Sequence, residues 1–125
     1  MATYLFVTKS NYTPERVESG IDLWWTCSST SEDGDFALVY VAGAGIMYEW
    51  RLISDAEPND EWKYICDVQY LRTFEPPIAL AEICDVVSRN EWAPPYLHLR
   101  GYRSIRVPDY VAHRIRLLRP VAVSA

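Results

Sequence analysis

The chain has 125 residues, half of them hydrophobic, with 5 Trp, 9 Tyr and 3 Phe, which suits one domain with a real core and excludes a disordered chain. No apolar run approaches the roughly 20 residues needed to span a bilayer, and residues 1–11 lack the basic-then-apolar order of a signal peptide, so a cytoplasmic protein is expected. A net charge of −5 argues against a protein that coats nucleic acid non-specifically.

Residues 4–8 alternate and predict a first strand. Asn11 and Tyr12 turn the chain, Thr13 can cap a helix, and Pro14 suits its first position; that helix should stop at Gly20. Residues 23–29 run from apolar to polar, and an acidic loop follows at 31–35. Residues 36–41 are compact and β-prone, and Gly43-Ala44-Gly45 predicts a tight turn into a second strand over 46–54. In that strand Ile46, Tyr48, Trp50 and Leu52 should share one face. Residues 55–61 read as another acidic loop, and 62–74 as a long strand. Pro76-Pro77 should end it and start a short helix over 78–87. A loop over 88–95 carries Trp92, residues 102–107 read as a last strand, and Pro108 opens a helix over 109–118 that Pro120 ends. The order predicts an α+β fold, a small twisted sheet or barrel with short helices at its ends. Residues 1–120 form the expected domain, and 121–125 a tail or the start of a linker.

Several chemistries lack their signatures. No GxGxxG or GxxxxGK[ST] occurs, and Gly43-Ala44-Gly45 leads into a strand rather than a helix. Cys27, Cys66 and Cys84 are odd in number and widely spaced, so reduced core thiols are expected rather than a zinc ribbon or disulfides. The acidic clusters lie in loops, where paired carboxylates stay solvated rather than acquiring unlike environments. No catalytic residue, metal site or cofactor is expected.

Charge is unevenly distributed. Residues 1–90 hold 15 acidic and 6 basic groups, whereas 91–125 hold 2 acidic groups and 6 Arg. Arg suits bidentate phosphate contacts. Arg114, Arg116 and Arg119 read as a solvated helix face; Arg100, Arg103 and Arg106 serve equally well as phosphate ligands or surface charge.

Phe6-Val7-Thr8-Lys9-Ser10-Asn11, a short helix, and then Trp25-Thr26-Cys27-Ser28 resemble the opening of YTH domains. Gly34-Asp35 before a strand ending in Tyr40, Trp62 with Cys66-Asp67-Val68, and Arg100-Gly101-Tyr102-Arg103-Ser104-Ile105-Arg106 resemble EVE domains of the same PUA-like group. Each motif is weak alone; their order and spacing cover about residues 4–120. The resemblance implies a PUA-like pseudo-barrel, a twisted and mostly antiparallel sheet of about 5–6 strands with short flanking helices. It implies a non-catalytic reader that holds one flipped, methylated base, such as N6-methyladenine or 5-methylcytosine, in an aromatic cage. DNA is favoured over RNA, and a fused or associated nuclease or GTPase of a modification-dependent restriction system is an expected partner. Carried onto this sequence, Trp25 is the first wall, with Thr26 and Cys27 beside the base and Asn11 on a ring nitrogen. Trp62 is the second wall and Trp50 its rival. Lys9, Ser10, Arg103 and Arg106 would hold phosphates. A PUA-like RNA-binding module, or an interaction or small-ligand domain that has lost nucleic-acid contact, are the alternatives.

Overall fold

The computed structural model describes residues 1–9, 23–97, 99 and 101–120. The expected helix after Thr13 lies outside the described residues, as do Ser10, Asn11, His98 and Arg100. Seven strands form one curled sheet: β1 (Thr3–Thr8), β2 (Leu23–Thr26), β3 (Phe36–Val41), β4 (Gly45–Leu52), β5 (Glu57–Asn59), β6 (Lys63–Ile78) and β7 (Arg103–Val107). The spatial order is β2-β6-β4-β3-β1-β7, with β5 paired to β6. β1 runs parallel to β3; every other pairing is antiparallel. Two short helices are present among the described residues, α1 (Leu80–Val86) and α2 (Asp109–Leu117), and no helix among those residues is long and apolar enough to cross a membrane.

The sheet is buried on both faces near its centre. All six residues of β1 are buried. Leu5 and Val7 join a core with Leu38, Phe74, Ile83, Trp92, Val111 and Ile115, which α1 and α2 cover. Tyr4 and Phe6 face a second core with Val39, Tyr48, Trp50, Leu52, Cys66 and Val68, which the curl of the sheet encloses. A strand between two cores presents no solvated face, which is why β1 and β3 are apolar almost throughout.

Two sequence expectations are revised. Ile46 does not share a face with Tyr48, Trp50 and Leu52; a register shift after it sends it to the helix-side core. Pro76-Pro77 does not end the strand. Tyr48 pairs with Thr73 and Ile46 with Ile78, so the prolines lie within a bulge, where the ladder asks no N–H of them. At the end of that bulge Gly45 meets β6 closely: a Cβ there would stand 2.3 Å from the Ile78 carbonyl oxygen, and its φ is +118°.

Three arginines expected on a solvated face instead tie the C-terminal helix to the sheet. Arg116 pairs with buried Glu49 at 2.7 Å and donates to the Thr3 hydroxyl. Arg114 pairs with Glu91 at 2.8 Å. Arg119 pairs with Glu82 at 2.9 Å and donates to the carbonyls of Pro76 and Pro77, while Arg72 donates to the Arg119 carbonyl.

Gly45→Ala is expected to destabilise the fold by more than about 2 kcal/mol, because it adds a backbone clash to a left-handed φ; urea unfolding measures this. The Arg119 guanidinium and the Ala79 N–H hold the Glu82 carboxyl below the usual carboxylate range. A lowered folded value means that the pair stabilises fully above about pH 4.5 and is lost as pH falls through the folded value. Glu82→Gln should therefore melt lower at neutral pH and show a flatter acid limb in a plot of Tm against pH.

Candidate functional site

An open cleft of about 600 Å³ lies where the end of β2, the β5–β6 turn and the start of β7 meet. Thr26, Cys27 and Ser28 line it from β2; Glu61, Trp62, Lys63 and Tyr64 from the turn; Tyr102, Arg103 and Ser104 from β7 and its approach. Three segments far apart in sequence thus converge on one opening.

Local hydrogen bonds set the position of Trp62. The Asn59 side-chain oxygen accepts from the backbone N–H groups of Glu61 and Trp62 at 2.9 and 3.0 Å, forming an Asx turn. The Thr26 hydroxyl donates to the Trp62 carbonyl at 3.4 Å, joining β2 to the turn. Lys63 follows with φ +69°, a left-handed conformation uncommon for a residue with a side chain. The strained residue lies on the rim of the cleft, next to Trp62.

Aromatic contacts connect the cleft with the core. Trp25 stands edge-to-face to Trp50 at 5.6 Å and to Tyr102 at 5.6 Å. Tyr102 in turn meets Trp62 edge-to-face at 5.4 Å, with the rings 88° apart. Lys9 Nζ lies 5.3 Å from the centre of the Tyr102 ring. The structure therefore brings Trp25, Thr26, Cys27, Trp62, Lys9 and Arg103 to one region. Trp25 is half-buried and reaches the cleft through Tyr102 rather than lining it. Trp50, the rival second wall, is at 0% exposure, packed against Phe6 and Trp25; it has no face to offer a ligand and belongs to the core. Arg106 is exposed on β7, its guanidinium 5.9 Å from the Tyr4 ring centre, outside the cleft.

Sequence reasoning assigned no role to Tyr102 or Ser104. The signal is present in the sequence: both lie in the Arg100–Arg106 motif, in which arginine is the residue type that points to phosphate. Trp92 is also explained. It is buried and its indole N–H donates to the Arg106 carbonyl at 3.1 Å, fixing the height of β7.

Of the two neighbouring thiols here, buried Cys66 is the poor nucleophile. Hydrogen bonding with Cys27 and burial push the Cys66 thiol well above the ordinary range, while the same contact lowers Cys27. Two neighbouring thiols cannot both ionise readily, so the proton stays on Cys66. Among the described residues, no group of three His, Cys, Asp or Glu could hold a metal ion. Of the basic groups in the last third, Arg103 and Arg106 form no ion pair among the described residues, while Arg114, Arg116 and Arg119 are paired.

No protein-family model matches the sequence, and no curated protein matches it. Solved structures do match. Human THYN1 protein, in a crystal structure with DNA containing 5-methylcytosine, aligns with a TM-score of 0.75 at 12% identity, over 98% of this chain and 100% of that one. The fold is the PUA-like pseudo-barrel. A Pseudomonas syringae protein gives a TM-score of 0.76 at 15% identity, over 95% and 100% of the two chains. A Rhodopseudomonas palustris protein gives 0.70 at 17%, over 95% and 93%. At such identities the PUA-like likeness is one of backbone, and the side chains in the cleft are this chain's own.

Lys63→Gly is expected to raise stability by up to about 1 kcal/mol, because glycine relieves the left-handed strain and part of that gain returns as unfolded-state entropy. Urea unfolding measures it; a loss of stability would mean that the Lys63 side chain offsets its own strain.

Proposed function

We propose that this chain is an EVE/YTH-like reader that binds one methylated base of DNA, extruded from the duplex and stacked in the cleft beside Trp62. The observation that carries the reading is the cleft itself. It joins a half-buried Trp62, polar groups from β2 and β7, and Arg103, which forms no ion pair among the described residues, on a fold shared with a protein seen holding 5-methylcytosine DNA. Trp62 offers one stacking face and Trp25, beyond Tyr102, the opposing wall. Thr26 and Cys27 lie beside the base, and Asn11 is proposed at its ring nitrogen. Lys9, Ser10, Arg103 and Arg106 take the flanking phosphates.

The energetics fit such a site. Stacking on one aromatic contributes about 1–3 kcal/mol, and extrusion of a base costs a few kcal/mol. Two walls are therefore needed to return more than extrusion costs. Burying one methyl gains only about 0.8 kcal/mol, less than tenfold in affinity, so discrimination must come from a fitted pocket. The site supplies binding groups, and the reading is non-catalytic. With a net charge of −5, the chain gains little non-specific attraction to DNA. It therefore suits a tethered module whose partner, such as a nuclease or GTPase of a defence system, supplies the remaining affinity.

A fluorescent duplex carrying one 5-methylcytosine or one N6-methyladenine should bind more tightly than its unmodified counterpart. Trp62→Ala should weaken binding about tenfold or more, and Trp25→Ala should abolish the preference for the methylated duplex. Equal affinity for methylated and unmethylated DNA defeats the reading; preference for structured RNA regardless of methylation points to an RNA-binding module instead.

A further inference from the structure

We propose that Tyr102 holds the ligand's place in the free protein, and that Ser104 reads the polar edge of the base that replaces it. The inference rests on the base-reading function above and adds the group that determines specificity.

Tyr102 makes edge contacts with both proposed walls, Trp25 and Trp62, so its ring occupies the ground between them. It is held there by ring contacts and by Lys9 alone among the contacts described for it, all of them kinds that a stacked base can replace. Its side chain remains 38% exposed, in reach of solvent and of an incoming strand. The residue before it is Gly101, with φ +68°, so the approach to β7 carries a backbone conformation that strongly favours glycine.

Ser104 lies two positions after Tyr102 and also lines the cleft. Its hydroxyl is closed off from solvent and meets no hydrogen-bonding partner among the described residues. A buried hydroxyl left unpaired opposes folding, and an alanine there would avoid the cost. Two other hydroxyls of the cleft are engaged: Thr26 donates to the Trp62 carbonyl, and Ser28 bonds with Thr30. Among the described residues the Tyr102 phenol makes no hydrogen bond to Ser104, whereas the rim of a base carries several N–H donors and carbonyl or ring-nitrogen acceptors. Exchanging one ring for the other keeps the aromatic contacts and gives the serine a partner.

Gly101 allows the exchange to be tested without touching either ring. A Cβ at Gly101 would meet nothing within 4 Å, so Gly101→Ala strains the backbone of the tyrosine-in state and adds no clash. The test combines binding of a duplex carrying one 5-methylcytosine with thermal melting of each free variant. Ser104→Ala should bind about three- to tenfold more weakly while melting no lower than the parent chain. Gly101→Ala should bind about fivefold more tightly, because the strain raises only the state that must be vacated. Unchanged binding or a lower melting temperature in Ser104→Ala, or weaker binding in Gly101→Ala, overturns the exchange. If Trp62→Ala loses binding in the same experiment, the base-reading function survives that failure. A parent chain that binds methylated and unmethylated duplex alike removes both.

Discussion

Five aromatic rings in edge-to-face succession join the buried interior of this protein to its cleft. Phe6 meets Trp50, Trp50 meets Trp25, Trp25 meets Tyr102, and Tyr102 meets Trp62. Each contact contributes about 0.5–1.5 kcal/mol beyond the area it buries. Its geometric effect is larger than its energy. An edge placed on a face fixes the tilt of both rings, so the orientation set by immobile Trp50 passes outward to rings that touch solvent. Trp62 sits in a turn, yet the core as well as the turn restrains it. In the free protein that restraint pre-orients Trp62 before a base arrives, which lowers the entropy lost on binding.

Charge follows a complementary plan. Half of the basic residues in the last third hold α2 and its exit against the sheet through Glu49, Glu82 and Glu91. The pair with Glu49 matters most for the fold, since that carboxylate is buried in the centre of β4 and would be costly without its partner. Arg103 and Arg106 are left on β7, one in the cleft and one beside Tyr4. Arg103 and Lys63 thus put positive charge at the opening itself, where a phosphate entering with its base would meet it.

Much of the fold was legible because it obeys short-range rules. Alternation located β1, a compact β-prone run located β3, Gly43-Ala44-Gly45 located its hairpin into β4, and Pro108 located α2. The failures have long-range causes. β6 passes through Pro76-Pro77 because a bulge opposite β4 asks no N–H of the prolines, and no local pattern encodes a bulge. β5 forms within an acidic loop because β6 offers it an edge. Arg116 was read as solvated because its partner Glu49 lies 67 positions away. The site divides in the same manner. Trp25, Thr26, Cys27, Trp62 and Arg103 were legible through family resemblance, and they do converge. Trp50 was not separable from them, because a wall and a core residue share one residue type and only the depth at which β4 lies tells them apart.

Tyr102 and Ser104 show why a cleft of this kind resists reading from residue types alone. A tyrosine in a loop ordinarily marks surface, and a serine in a strand ordinarily marks an exposed edge. Here the tyrosine fills ground between two tryptophans, and the serine hydroxyl is hidden without a partner among the described residues. Each looks unfavourable for an isolated fold, since one ring remains partly wet and one polar group is unpaired. Together they describe a protein stabilised less than it could be at the place where a ligand would complete it. A pocket left empty in the free state would have to be held open against collapse. A pocket filled by the protein's own ring avoids that, and a ligand then needs only to outcompete a side chain of similar shape. The margin in that competition is hydrogen bonding: a base brings several donors and acceptors along its rim where tyrosine brings a single hydroxyl.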